Sequence, residues 1–112
     1  MEIKETKDDE ILVLELCGRL DSATSEDLET LVSAKLVDGE TRFLIDLREL
    51  EYVSSAGLRV FVMLAKKLIP KQGKAVLCSP TEAVQEIFDM VRLSQLLHLV
   101  DSRETALAEL RG

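Results

Sequence analysis

From Thr41 to Leu68 the chain reads TRFLIDLRELEYVSSAGLRVFVMLAKKL, and no other stretch restricts the fold as tightly. Phe43, Leu44, Ile45 and Leu47 form a short apolar run interrupted by Asp46, the pattern of a central strand covered on both faces. Leu58, Phe61, Val62, Ala65, Leu68 and Ile69 then fall at i, i+3, i+4, i+7, i+10 and i+11, one face of an amphipathic helix. The segment joining strand to helix reads as a short turn with paired serines. Ser54 and Ser55 both suit the N-cap, and Gly57 lets the first helical turn lie close to a neighbour. A hydroxyl at this place is exposed, faces the positive end of a helix dipole, and can carry a phosphate with little strain.

The rest of the chain repeats this alternation. Glu2 to Thr6 and Ile11 to Leu16 read as two strands joined by a turn at Lys7-Asp8-Asp9-Glu10, so the chain opens as an antiparallel hairpin. Gly18 to Asp21 leaves the second strand. Ser22, Thr24 and Ser25 are the candidate caps of a first helix, with Thr24 and Asp27 at capping-box spacing. Leu28, Leu31, Val32 and Leu36 give its apolar side, and Asp38-Gly39 ends it. After Pro70 and Gly73, Lys74 to Cys78 is a strand. Ser79, Pro80 and Glu82 predict a third helix, with Ser79 as its cap and Val84, Ile87, Phe88 and Val91 as its buried stripe. Residues 96–100 read as a last strand, and a final helix runs from about Asp101 to Leu110. The expectation is an α/β fold: a mixed, mostly parallel sheet with an N-terminal antiparallel hairpin, packed by about four helices. Length suits one domain over residues 1–112.

Composition narrows the function. The net charge of −7 argues against nucleic acid or an anionic membrane as the main partner. No apolar run approaches the roughly 20 residues of a bilayer span, and MEIKETKDDE lacks the regions of a signal peptide, so direct membrane insertion is not expected and a cytoplasmic location is. Cys17 and Cys78 lack metal or redox spacing and read as reduced thiols.

Ser55-Ala56-Gly57 after a strand invites comparison with a hydrolase nucleophile elbow, but Val53 stands where G-x-S-x-G needs its first glycine. His98, within LLHLV, reads as a strand residue rather than a general base. No Walker or dinucleotide loop is present, so any phosphate must come from a nucleotide bound elsewhere. No cofactor or metal site is expected. Asp21 and Asp46 both fall at strand ends, where they either shape turns or flank a site. Arg59, Val60, Met63, Lys66 and Lys67 lie off the main stripe of the central helix. They form either a second packing layer or a docking face.

Asp46-Leu47, Leu50 and Val53-Ser54-Ser55-Ala56-Gly57-Leu58 together resemble the signature of STAS domains, and of bacterial anti-sigma factor antagonists in particular. Gly18-Arg19-Leu20-Asp21 is similar to the family's turn after its second strand. The resemblance implies a regulated phosphoserine at Ser55, with Ser54, which replaces the usual acidic residue, as the other candidate. It implies a partner surface around Asp21, Ser54, Ser55, Gly57, Arg59, Val60 and Met63. The implied partners are an anti-sigma factor with serine kinase activity and a PP2C-type phosphatase, with no enzymatic role for the chain itself. A STAS subunit or domain serving a transporter or lipid-transport complex, and a small serine hydrolase, are the alternatives.

Overall fold

The computed structural model describes residues 1–92 and 97–112. Strands β1 (Glu2–Asp8) and β2 (Ile11–Leu20) form the expected antiparallel hairpin, and β3 (Arg42–Asp46), β5 (Lys74–Cys78) and β6 (His98–Val100) extend the sheet in parallel in the order β1-β2-β3-β5-β6. Alternation along β2 explains the two layers of core. Leu12, Leu14 and Leu16 face helices α1 (Ser22–Val37), α2 (Ser55–Leu68) and α3 (Glu82–Val91), whereas Ile11 and Val13 face α4 (Arg103–Arg111). The expected burial of β3 on both sides follows the same rule, with Phe43 and Ile45 in one layer and Leu44 in the other.

Four local expectations are corrected. The turn before the serines contains a strand, β4 (Leu50–Val53), which pairs in parallel with the end of β2 through Gly18↔Leu50, Arg19↔Tyr52 and Leu20↔Val53. The second strand therefore does not stop near Leu16. It continues through a left-handed Gly18 (φ 104°) and a register irregularity before Arg19. Four residues of mixed polarity give β4 too little alternation to be read from sequence.

The first helix is capped by Asp21 rather than by Ser22, Thr24 or Ser25. The Asp21 carboxylate accepts from the Thr24 amide, and the Thr24 hydroxyl accepts from the Asp21 amide, a capping box three residues earlier than expected. The Thr24 amide, and after it the Thr24 hydroxyl, donate to the Asp21 carboxylate and hold its pKa below the ordinary value. Helix α3 is likewise capped by Thr81, not Ser79, which occupies a left-handed turn (φ 58°). The Thr81 hydroxyl accepts from the Val84 amide and donates to the Leu50 carbonyl, fastening α3 to β4. A serine cap and Pro80 at the first helical position was the simpler reading. The contact to β4 favours Thr81 and is invisible without β4.

The last strand begins at His98, and position 96 of its expected span lies outside the described residues. Both cysteines are free thiols, as expected. Burial, reinforced by the nearby Asp46 carboxylate, pushes Cys78 up to about 11, so it stays protonated at neutral pH.

Candidate functional site

The pairing of Leu20 with Val53 puts the next residues of both strands, Asp21 and Ser54, side by side. The Ser54 amide donates to the Leu20 carbonyl at 2.8 Å. Each strand then turns directly into a helix, α1 after Asp21 and α2 after Ser54, and the two helices pack together. Two helix N-termini and their unsatisfied amides thus open beside the same turn.

The paired serines separate into two roles here. Ser54 is the cap: its hydroxyl accepts from the Gly57 amide at 3.2 Å, and its carbonyl accepts from the Leu58 amide at 3.0 Å. Ser55 is the first helical residue and is exposed, and among the described residues no hydrogen bond engages its hydroxyl. Sequence alone left either serine able to cap. The structure assigns that work to Ser54 and leaves the Ser55 hydroxyl free.

Gly57 and Val60, placed in the partner surface by the resemblance, are buried: the close approach expected of Gly57 is formed, and of the two readings of Val60 the packing layer holds. Gly57 is buried, and a Cβ there would stand 2.7 Å from Leu20 Cδ2 and 2.9 Å from Val53 Cγ2. Gly57→Ala is therefore expected to cost about 1–3 kcal/mol through overpacking, read as a lower urea midpoint at unchanged m-value. Val60 is 4% exposed and belongs to the core. Core burial takes in Gly57, Leu58, Val60, Phe61, Leu64 and Leu68, while Ile69, placed on the apolar stripe by spacing, is 73% exposed. The helix is rotated from the orientation that spacing suggested because it is packed on two sides, by α1 and by Phe88 of α3, whose ring stacks on Phe61 at 6.3 Å.

Arg59 and Met63 keep their surface places. With Val62, Lys66 and Lys67 of α2 and Glu29 of α1, they line an open groove of about 470 Å³. A smaller groove of about 270 Å³ continues past Arg59 and Ala56 to Ser22, Ser25 and Glu26, alongside the serine turn. Its shape suits docking by another protein more than enclosure of a small substrate.

Asp46 is buried and shapes the loop leading to β4. One carboxylate oxygen accepts from the Arg48 amide at 2.9 Å, and the other accepts from Arg103 Nε at 3.1 Å and Nη2 at 2.8 Å. Arg103 also reaches Glu15, and both carboxylates raise the pKa of its guanidinium. Nothing in the sequence paired residues 57 positions apart, so this ion cluster was missed. His98 projects from β6, where it meets Glu109 at 2.6 Å, and two strands separate β6 from β2, beside which the serines lie. The nucleophile-and-base arrangement of a hydrolase is thus not formed. Among the described residues no cluster of histidine, cysteine and carboxylate ligands could hold a metal, and no helix is long and apolar enough to cross a membrane.

A mixed sheet with helices starting at a common edge, and, among the described residues, a serine hydroxyl without a hydrogen bond at one of those starts, defines a small α/β domain with its candidate site at the strand ends. The sequence matches the profile of the STAS domain over residues 2–106, and the chain belongs to that family. It is 39% identical over 108 residues to the Bordetella bronchiseptica protein named "Putative anti-sigma factor antagonist BtrV", covering 96% of this chain and 93% of BtrV. Its fold superposes on an anti-sigma factor antagonist from Mycobacterium paratuberculosis with a TM-score of 0.90 at 22% identity, over 99% of this chain and 94% of the other. The Bacillus cell-fate determinant SpoIIAA in its phosphorylated form superposes with a TM-score of 0.76 at 20% identity, over 98% of this chain and all of the other. This is a regulatory, non-enzymatic family.

Proposed function

We propose that the protein is an anti-sigma factor antagonist whose binding is switched by phosphorylation of Ser55. The observation that carries this reading is the division of labour at the turn. Ser54 caps α2, so Ser55 is left exposed and free at a helix start that tolerates a phosphate. In the unphosphorylated state the chain binds an anti-sigma factor that is also a serine kinase, and a sigma factor is released. Phosphorylation dissolves that complex, and a PP2C-type phosphatase restores it. The protein is a substrate and a binding module acting in the cytoplasm.

Asp21, Ser54 and Ser55 form the upper part of the partner surface, and Arg59 and Met63 continue it along α2. Gly57 contributes by permitting close packing under the turn, and Val60 by holding the helix to the core. Capture of the tagged protein from its native cytoplasm should recover an anti-sigma factor, and mass spectrometry should place phosphate on Ser55. Recovery of membrane transport components in its place would favour a subunit of a transporter complex. Phosphate on Ser54 alone, or on neither serine, would overturn the switch.

Met63 tests the surface independently. It is half-buried at the floor of the groove beside Arg59. Met63→Glu should weaken anti-sigma factor binding about tenfold, or about 1.4 kcal/mol, with the circular dichroism spectrum unchanged. An unfolded variant would make Met63 a core residue, and unchanged affinity would remove the groove from the interface.

A further inference from the structure

From Val53 to Thr81 the chain has five cations, Arg59, Lys66, Lys67, Lys71 and Lys74, and no acidic residue. The net charge of −7 therefore divides into +5 in this segment and −12 elsewhere. All five side chains are exposed. Among the described residues, every ion pair draws its cation from outside the segment: Lys7, Lys35, Arg42, His98, Arg103 or Arg111. In a protein with half again as many acids as bases, ordinary surface pairing would reach some of these lysines. The fold instead keeps them together and free.

Four of the five gather at one end of the molecule. Lys66 and Lys67 close α2, Lys71 ends the short 3-10 turn Ile69–Lys71, and Lys74 opens β5. A 14-residue helix separates them from Ser55 by about 20 Å. Favourable interaction with the helix dipole accounts for Lys66 and Lys67 but not for Lys71 and Lys74. Two aliphatic side chains lie exposed at the same end. Ile69 is 73% exposed, and Val37, at the end of the neighbouring α1, is 87% exposed. Helices α1 and α2 pack together and both run back from the strand ends, so their last residues lie at one edge.

We infer that this end is a second docking surface, which takes a narrow acidic polypeptide segment carrying an aliphatic side chain. The charge of the strip selects the acidic chemistry, and Ile69 with Val37 supplies the apolar seat. Narrowness follows from the surroundings. Asp9 and Glu10, in the turn before β2, lie at this same end because β2, β3 and β5 run parallel, and Asp38 flanks the strip from α1. A bilayer or duplex face laid across the end would meet those carboxylates together with the lysines. A single extended or helical segment can follow the lysines along one line, with Glu29 of α1 as the carboxylate beside Lys66 and Lys67. Lys66 and Lys67 also line the groove of Arg59 and Met63, so the strip begins where the first surface ends. At about 20 Å from Ser55, beyond the Debye length of about 8 Å, its potential is not altered by a charge on that serine.

The test titrates the 15N-labelled full chain with defined probes at 0.15 M salt. These are a 14-residue peptide of Glu and Leu with Leu at i, i+3 and i+4 spacing, the same peptide with Ser replacing Leu, and phosphatidylserine-containing vesicles. The Glu/Leu peptide should shift the amides of residues 66–74 and Val37, and bind at least tenfold tighter than the Glu/Ser peptide. Lys67→Glu combined with Lys71→Glu should weaken it at least tenfold without changing the melting temperature. Ile69→Ser should abolish the preference for Leu. Absence of binding, shifts centred away from residues 66–74, equal affinity for both peptides, or stronger binding to the vesicles would each overturn the proposal. None of these outcomes bears on Ser55.

Discussion

Ser55→Asp is expected to fold like the unsubstituted chain and to lose about a hundredfold or more in affinity for an anti-sigma factor, about 2.7 kcal/mol. The fold survives because Ser54, not Ser55, holds the cap of α2, and because a negative charge on the first helical residue meets free amides and a favourable dipole. The affinity falls because a partner seated over the turn would have to strip the charge of water, a cost that Arg59 one helical turn away, itself exposed, offsets only in part. A phosphate of charge about −1.5 to −2 should do so more completely than a carboxylate. Ser55→Ala should bind and resist phosphorylation. Ser54→Ala should remain a substrate, with about 1 kcal/mol lost from stability through the missing cap. Calorimetric titration of the three variants decides the matter. Full affinity in a folded Ser55→Asp protein would show that the partner does not cover the turn.

Arg103→Ala, at a half-buried residue, should cost about 2–3 kcal/mol because it strands a buried carboxylate. Breaking a buried ion pair from one side costs about 3–5 kcal/mol, and the partial exposure of Arg103 lowers the expected figure. Asp46 is 5% exposed, and both its bonds to Arg103 would be lost together. Arg103→Lys should recover less than half of the loss, since an ammonium cannot span Asp46 and Glu15 with the same fork. Adding Asp46→Asn to Arg103→Ala should restore stability relative to Arg103→Ala alone. Urea denaturation of the cycle measures the coupling, and a coupling near zero would reduce the cluster to an ordinary surface contact.

Much of this architecture was legible because periodicity and turn chemistry are local. The hairpin, the doubly buried β3 and the four helices all announce themselves within a dozen residues. What escaped was set by contacts between distant segments. β4 is a strand only because the end of β2 lies beside it. Thr81 displaces Ser79 as a cap because Leu50 accepts its hydroxyl, and Arg103 finds Asp46 across 57 residues. At the site, resemblance pointed to Ser55 with Ser54 as the other candidate, and what separates the two serines physically is one hydrogen bond from the Gly57 amide to Ser54. Val60 was misplaced because spacing reports a helix's amphipathic face without showing that two neighbours crowd it.

The register of β4 on β2 has a practical corollary for anyone remodelling this domain. Asp46 ends one strand pairing with β2, Val53 ends the next, and Ser54 caps a helix immediately after. Both ends of the interval from Asp46 to Ser55 are thus fixed against one ruler, the backbone of β2, with Glu51 taken up by the register irregularity before Arg19. An added or deleted residue in this interval would misplace the serine or turn side chains to the wrong face. Substitutions can retune the segment's chemistry, but its length cannot drift.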